Sequence, residues 1–478
     1  MGIRFDNTYE RLPGAFFERV APSAAVAPSL VVVNSQLCRE LGLRLEDIPE
    51  DELAEYFSGR KLFPGSSLIA IAYSGHQFGH FAGVLGDGRA ILLGEALAAD
   101  GSRRDLQLKG AGQTPFSRRG DGRCALGPAL REYLVSEYMA RVGIPSTRSL
   151  AVVLTGEPVE RQIVSPGAIL TRVAASHIRV GTFEHFASRN DLPNLRILVD
   201  YTIERHFPEI RGAVNPEVLL LRGIIERQCA LIPKWMGVGF IHGVMNTDNT
   251  AVSGETLDFG PCAFMDEYRP GKVFSSIDRA GRYAYDRQPS ILSWNMAVLA
   301  ECLLPLLHAD PNAALELARE ELGRIPVLLQ QHWLAVMAAK LGIADPDPQD
   351  AELVRHWLAL LEARELDFTN AFRDLAEGRL EAFGELAGSA EFFAAWQSRT
   401  GRDPARASRL MQESNPVVIP RNHQIERVIE QANLGNFEPF HEMRAVLAEP
   451  FESGHPALGL YQAAPLPEER VRQTFCGT

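Results

Sequence analysis

The feature that most constrains this chain is a change of hydrophobic period part-way along it. Between about residues 66 and 160 the runs SLIAIAY, RAILLGEA, RDLQLKG and SLAVVLTG are short, apolar or alternating, and parted by glycine-rich turns. That is the pattern of strands. One helical pattern interrupts them, with Pro128 at its first position, Leu130, Leu134 and Tyr138 at i, i+4 spacing, and Gly143 with Pro145 to stop it. A further strand pair is expected through ERQIVSPGAILTRVA, turning at its Pro-Gly. After about residue 185 helical periodicity dominates, in VLLLRGIIERQCALIPKWM, SWNMAVLAECLLPLL, AALELAREELGRIPVLLQQHWLAVMAAKL and ELVRHWLALLEARELDFTNAFRDLAEG. The exception is a polar, non-helical island at 239–264, GFIHGVMNTDNTAVSGETLDFGPCAF.

A small β-rich lobe with one helix, then a large helical lobe holding one irregular polar segment, is the layout of an α+β, bilobal, protein-kinase-like fold. We expect an N-terminal extension over 1–65, a small β-rich N-lobe over 66–165 and a helical C-lobe over 166–478. Composition narrows the function classes. With 48 basic against 60 acidic residues the formal charge is −12, which argues against a surface built for nucleic acid or anionic membrane. A hydrophobic share of 46% with 23% charged excludes a disordered chain. No apolar run approaches the roughly 20 residues of a membrane span, and the start MGIRFDNTYERLPG lacks a signal-peptide core. Six cysteines, none in a CxxC pair, are too sparse for a disulfide scaffold and point to a reducing, cytoplasmic setting. A monomer is expected.

The island carries the chemistry. His242-Gly-Val-Met-Asn-Thr-Asp248-Asn249 is followed by Asp258-Phe259-Gly260. Kinase catalytic loops run H-R-D-L-x-x-x-N, with a later D-F-G. Aligned on His242, Asn249 and Asp258 fall where the two metal-binding residues belong, and their hard oxygens suit Mg²⁺. Val244 occupies the catalytic Asp position, and an alkyl group can neither accept a proton nor orient a hydroxyl. A carboxylate occurs nearby, at Asp248. A DFG tripeptide alone arises often by chance; His, Asn and DFG in order, inside a helical region, is a more specific signal.

In Asp105-Leu106-Gln107-Leu108-Lys109, period-2 alternation puts Gln107 and Lys109 on the face opposite the leucines. A strand lysine facing a cleft can hold nucleotide phosphates when a helix-borne Glu orients it. Glu132 is the candidate partner and Glu137 its rival; ordinary solvated side chains are the alternative for all three. Only five lysines occur against 43 arginines. Genomic base composition accounts for such a bias, but each retained lysine becomes worth inspecting. The stretches Tyr73–Gly83 and Gly86-Asp-Gly-Arg89 are rich in glycines that let backbone N–H groups approach phosphate, although neither is G-x-G-x-x-G and plain hairpin turns explain them as well. His76 and His80 have metal-ligand spacing, yet Gly75, Gly79 and Gly83 oppose the helix that would align them and the Glu of H-E-x-x-H is missing, so zinc is not expected. Residues 103–123 carry a local charge of +4 from Arg103, Arg104, Lys109, Arg118, Arg119 and Arg123 against Asp105 and Asp121, and Arg172, Arg179 and Arg189 follow. Guanidinium forks suit phosphate oxygens.

These segments together resemble the selenoprotein O family of protein-kinase-like AMP transferases. The matching stretches are 74–90, LQLKGAGQTPFSRRGDGRCALGPALREYL at 106–134, TRVAASHIRVGTFE at 171–184, HGVMNTDN with LDFGPCAF, and the terminal Phe475-Cys476-Gly477-Thr478. The resemblance implies ATP bound in an orientation inverted relative to kinases, so that AMP passes to Ser, Thr or Tyr hydroxyls of proteins. It implies that Gly86, Gly88 and Arg89 contact nucleotide and that Lys109, Asp121, Gly122, Arg172 and Arg179 hold the phosphates. It further implies that Glu132 pairs with Lys109, that Asp248 is the acceptor-side base, and that Asn249 and Asp258 bind Mg²⁺ or Mn²⁺. Where some members carry selenocysteine this chain has Cys476, and the resemblance implies a redox-sensitive disulfide from the tail to a Cys near the site, for which Cys262 is the candidate. Two other readings compete: a small-molecule phosphotransferase, weakened by the missing Asp after His-Gly, and a catalytically silent nucleotide-binding scaffold, weakened by the retention of Lys109, Asn249 and Asp258 together.

Overall fold

The computed structural model describes residues 3–45, 48–161, 163–380, 383 and 388–475. Two short strands, β1 (Phe17–Arg19) and β2 (Ser29–Val33), and two helices, α1 (Ser35–Glu40) and α2 (Glu50–Phe57), precede the strand-like region. That region supplies β3 (Ile69–Ile71), β4 (Gly75–Gln77), β5 (His80–Ala82), β6 (Ala90–Leu97), β7 (Arg103–Lys109), β8 (Cys124–Ala125), helix α3 (Leu126–Arg141), β9 (Arg148–Glu160) and β10 (Val164–Ala174). One sheet runs in the order β1-β3-β6-β7-β10-β9-β2, with β8 added to β10, while β4 and β5 form a separate hairpin. All the pairings are antiparallel.

Both faces of this sheet are covered, and the strands therefore read as near-continuous apolar runs. Ile91, Leu106, Leu108 and Val153 pack against Leu37, Leu53 and Phe57 of α1 and α2. Leu92, Val152 and Leu170 point the other way, into the core that holds Leu130 and Leu134 of α3. Gln107 and Lys109 share that second face, so the lysine is delivered toward α3 by strand alternation.

The expected organisation shifts in four places. Residues 1–65 are not an extension separate from the sheet, because β1 and β2 form the two outer strands of the main sheet. The division expected at 165/166 falls inside β10. Pro166-Gly167 is not a turn either. It lies within β10 at a register irregularity, where a Cβ on Gly167 would come within 2.6 Å of Thr155 Oγ1. Close strand approach, not chain reversal, demands this glycine. Helix α3 also begins two residues before Pro128.

Beyond the sheet come α4 (Val180–Ala187), α5 (Leu192–His206) and α6 (Pro216–Gly237), then β11 (Phe240–Ile241) paired with β12 (Ala263–Phe264) around a single 3₁₀ turn, Thr247–Asn249. Helices α7 (Gln288–Leu307), α8 (Pro311–Gly323), α9 (Ile325–Lys340), α10 (Asp350–Ala363), α11 (Phe368–Glu377), α12 (Ser389–Thr400), α13 (Pro404–Ser414), α14 (Asn422–Asn433), α15 (Glu438–Leu447) and α16 (Leu458–Gln462) complete an α+β architecture. Tyr285–Leu307 is long and apolar enough to cross a membrane by length and composition, although Ser290, Ser293, Asn295 and Glu301 interrupt its apolar run. In the fold α7 packs on α4, α6 and α8.

Candidate active site

The polar island is held rigid by groups from its surroundings. His242 is buried, its Nε2 donating to Leu257 O at 2.9 Å and its Nδ1 accepting from Val244 N at 3.3 Å. Burial depresses its basicity, so the ring stays neutral and serves as a brace. Helix α7 contributes two buried amides. Gln288 bonds Phe240 O and His242 N, and Asn295 Nδ2 bonds Met245 O at 3.1 Å and Thr250 Oγ1 at 2.9 Å. The first half of the loop between β11 and β12 is thereby held by side chains, which satisfies buried backbone groups there.

Above this loop stands a charge cluster. Lys109 Nζ lies 2.6 Å from Glu132 Oε2 and 2.9 Å from Asp258 Oδ1. Arg172 Nε reaches Glu132 Oε1, and its Nη2 lies 2.9 Å from the same Asp258 oxygen. Burial alone would raise Glu132 and Asp258. For Glu132 the Arg172 and Lys109 charges outweigh it, and for Asp258 the Lys109, Arg172 and Arg89 charges do, so both carboxyls sit below their usual range, Asp258 far below. Glu137 is elsewhere, engaged by Arg148 at 2.8 and 2.9 Å and by Asn34.

Asp258 opens onto a cavity of about 520 Å³. The strand region lines it with Gly86, Gly88, Arg89, Asp121 and Gly122, and the helical region with Arg179, Asp248, Asn249 and Asp258. Gly86 and Gly122 have φ of +66° and +69°; a Cβ on Gly86 would overlap the Phe116 ring. The basic stretch 103–123 splits in two. Arg118, Arg119 and Arg123 line the cavity, whereas Arg103 pairs with Asp6 and Arg104 faces Glu255 at the far end of β7, which at ~3.3 Å per residue lies ~20 Å from Lys109. One guanidinium nitrogen of Arg89 is buried and meets no hydrogen-bond partner among the described residues. Asp121 takes both Nη atoms of Arg161 at 2.8 Å, and that hydrogen bonding lowers its carboxyl.

Arg179 sits at the N-cap of α4, donating Nη1 to Asp248 O at 3.0 Å and lying 4.2 Å from the Tyr73 ring centroid. Asp248 has Oδ2 bonded by Gln77 Nε2 at 3.0 Å, while Oδ1 is buried with no partner among the described residues. Burial pushes its carboxyl up to about 6, against the opposing pull of the Gln77 hydrogen bond and the Arg179 charge. Cys262, two residues beyond the DFG, is buried, and burial lifts its thiol to about 12. Cys476 lies outside the described residues, but Thr474 Oγ1 donates to Pro261 O at 2.6 Å, next to Cys262.

Sequence reasoning passed over several residues of the site. Asp87, read only as the middle of a glycine turn, is buried and accepts from Ile71 N at 3.1 Å, Gln107 Nε2 at 3.0 Å and Arg179 Nη2 at 3.5 Å. A carboxylate between two glycines was the available signal. Gln77 and Tyr283 border the same loop, Asn246 lies in it, and His76, not expected to bind zinc, pairs with Glu184. Nothing local in the sequence announces these partners, which are separated by up to 171 residues in the Gln77–Asp248 case and 108 in the His76–Glu184 case.

Comparison with known proteins agrees with this geometry. The family described as Protein adenylyltransferase SelO matches residues 1–448. The chain is 53% identical over 487 residues to the Protein nucleotidyltransferase YdiU of Agrobacterium fabrum (strain C58), covering 100% of both chains. It is 53% identical over 489 residues to that of Rhizobium rhizogenes (strain K84), covering 100% of this chain and 97% of the relative. With that of Rhodopseudomonas palustris (strain HaA2) it shares 50% identity over 488 residues and 99% of each chain. A family match over nearly the whole length, around a cavity ringed by arginines and carboxylates, leads to one conclusion: the chain belongs to the protein adenylyltransferase SelO family.

Proposed function

We propose that the protein transfers AMP from ATP, bound inverted relative to kinases, to Ser, Thr or Tyr hydroxyls of other proteins and releases pyrophosphate. The observation that carries this reading is the placing of the carboxylates. Val244 stands where a kinase needs its Asp, whereas Asp248 lines the same cavity as Asp258, which the Lys109–Glu132–Arg172 cluster holds. A carboxyl lifted to about 6 suits proton acceptance near neutral pH. In the step proposed, the acceptor oxygen bonds the α-phosphorus and the bond from that phosphorus to the bridging oxygen of pyrophosphate breaks. Pyrophosphate leaves with the electron pair, and the hydroxyl proton passes to Asp248. Lys109, Arg172, Arg179 and Arg89 lower the cost of the gathering negative charge, and Gly86, Gly88, Asp121 and Gly122 shape the wall against the nucleotide.

Asn249 and Asp258 would hold Mg²⁺ or Mn²⁺. The Asn249 amide nitrogen bonds Val244 O at 3.1 Å, which leaves its oxygen as the ligand atom, and Asp258 keeps Oδ2 beyond the two cations on Oδ1. Among the described residues no three His, Cys, Asp or Glu side chains converge as a ready site. Two protein oxygens completed by phosphate and water are what Mg²⁺ accepts, and the ion would supply charge neutralisation on the leaving group. In the same reading the fold is bilobal and kinase-like, with the sheet and α3 as the small lobe. The protein is a cytoplasmic monomer that binds no nucleic acid, and Cys262 forms a redox-sensitive disulfide with Cys476. The buried thiols of Cys124, Cys229 and Cys302, unbridged among the described residues, support a reducing setting.

The test is incubation with ATP labelled at the α- or the γ-phosphate, Mg²⁺ and a cell extract. We expect label on protein from the α-position alone. Label from the γ-position only would identify a phosphotransferase, and binding without transfer a silent scaffold. Asp258→Ala should reduce α-label transfer about 10²–10³-fold, the size of loss seen when one transition-state charge partner is removed.

A further inference from the structure

The β4–β5 hairpin lies directly against the loop that carries Asp248, and three consecutive hairpin residues each hold one of three consecutive loop residues. His76 N donates to Thr247 Oγ1 at 2.6 Å, Gln77 Nε2 to Asp248 Oδ2 at 3.0 Å, and Phe78 N to Asn246 Oδ1 at 3.1 Å. Tyr283 closes the register from the other side, its hydroxyl donating to the same Asn246 oxygen at 2.6 Å. The hairpin is itself secured, because His76 pairs with buried Glu184 of α4 and its ring lies 5.2 Å from Trp294 of α7. Phe78 holds a φ of +52°, a left-handed conformation that a non-glycine residue keeps only when its surroundings impose it. Gly75 leaves room for the carboxylate. A Cβ there would come within 2.9 Å of Asp248 Cβ and 3.0 Å of Oδ1.

We propose that Gln77 is a positioning residue for the Asp248 carboxylate. This rests on the adenylyl-transfer reading, in which Asp248 takes the proton of the acceptor hydroxyl. Asp248 Oδ1 meets no donor among the described residues, so the Gln77 amide is the group that fixes how the carboxylate is turned. Both side chains line the cavity. A misplacement of about 1 Å in a reacting group can cost about 10²-fold in rate, and the hairpin register holds the amide still enough to prevent it.

Gln77→Leu removes the donor at nearly constant volume, and Gln77→Glu replaces it with an acceptor that repels Asp248. With α-labelled ATP and a protein acceptor, we expect kcat to fall about 10–100-fold in Gln77→Leu and further in Gln77→Glu. The KM for ATP should stay within about twofold, and the melting temperature unchanged. A wild-type kcat in Gln77→Leu, or a loss expressed in KM for ATP alone, would overturn the proposal, as would both variants being unfolded at the assay temperature. A wild-type protein that transfers no α-label defeats the underlying reading, whereas an active wild type with unimpaired Gln77 variants defeats only this inference.

Discussion

Glu132 carries Lys109 on one carboxylate oxygen and Arg172 on the other, at 1% side-chain exposure, and both cations also share Oδ1 of Asp258. Removing one partner of a buried pair leaves the remaining charges uncompensated, typically at about 3–5 kcal/mol. We therefore expect Glu132→Gln to lower unfolding stability by about that much in a urea titration. Asp258→Asn should cost less, since it leaves Glu132 to neutralise the cations. At this scale much was legible. Strand alternation turned Lys109 away from the leucines, the α3 stripe left Glu132 free, and the DFG marked Asp258. Local pattern could not choose Glu132 over Glu137, because both lie on one helix and only the packing of α3 on β9 and β10 decides which faces Lys109. The arginine cluster marked Arg172 and Arg179 as suited to phosphate and resemblance gave them their roles, while Gln77 and Asp87 did not emerge at all, since their roles depend on partners brought in by tertiary folding.

Among the elements, α9 ends in a lysine that ordinary helix chemistry would put in water. Lys340 is instead 3% exposed, with Nζ 4.3 Å from the Phe372 ring centroid and 5.5 Å from that of Phe368. Desolvation lowers its pKa to about 7. The unfolded chain, with an ordinary lysine near 10.4, then binds more protons than the folded one between these values, so this residue makes stability rise with pH from about 7 to about 10. We expect Lys340→Met to raise the melting temperature at pH 7, with a gain that shrinks toward pH 10. A cation–π contact of about 0.5–2 kcal/mol offsets part of the burial cost and limits that gain. Gly86→Ala is the corresponding experiment on the turn after β5. Its positive φ and the Phe116 ring leave no room for a methyl group, so ATP affinity by calorimetry should weaken by at least about tenfold, on about 1–2 kcal/mol of backbone strain plus the clash. The sequence placed most strands and helices but misread Pro166-Gly167, because a glycine needed for close approach looks the same in text as one needed for a turn.

Across the whole molecule, what the text hid is long-range closure. Residues 17–33 look irregular because β1 and β2 are short, yet they form both outer strands of the sheet. The opposite end of the chain behaves similarly. Thr474 N donates to Phe274 O at 2.8 Å and Ser276 N to Thr474 O at 3.0 Å, pinning the segment that leads to Tyr283 and Asn246. A chain shortened to residue 469 should show faster hydrogen exchange over 272–283, with α9 unaffected; equal exchange in both forms would show that the pinning contributes nothing. Thr474 stands 213 residues after Pro261, whose carbonyl it also grips. At roughly 5–20 residues per second, a ribosome delivers that threonine about 10–40 s after the loop it fastens. Throughout that interval the nascent chain carries the residues that line the cavity without the contact that holds the neighbouring segment, so the timing of translation, as well as the fold, sets when the cavity is finished.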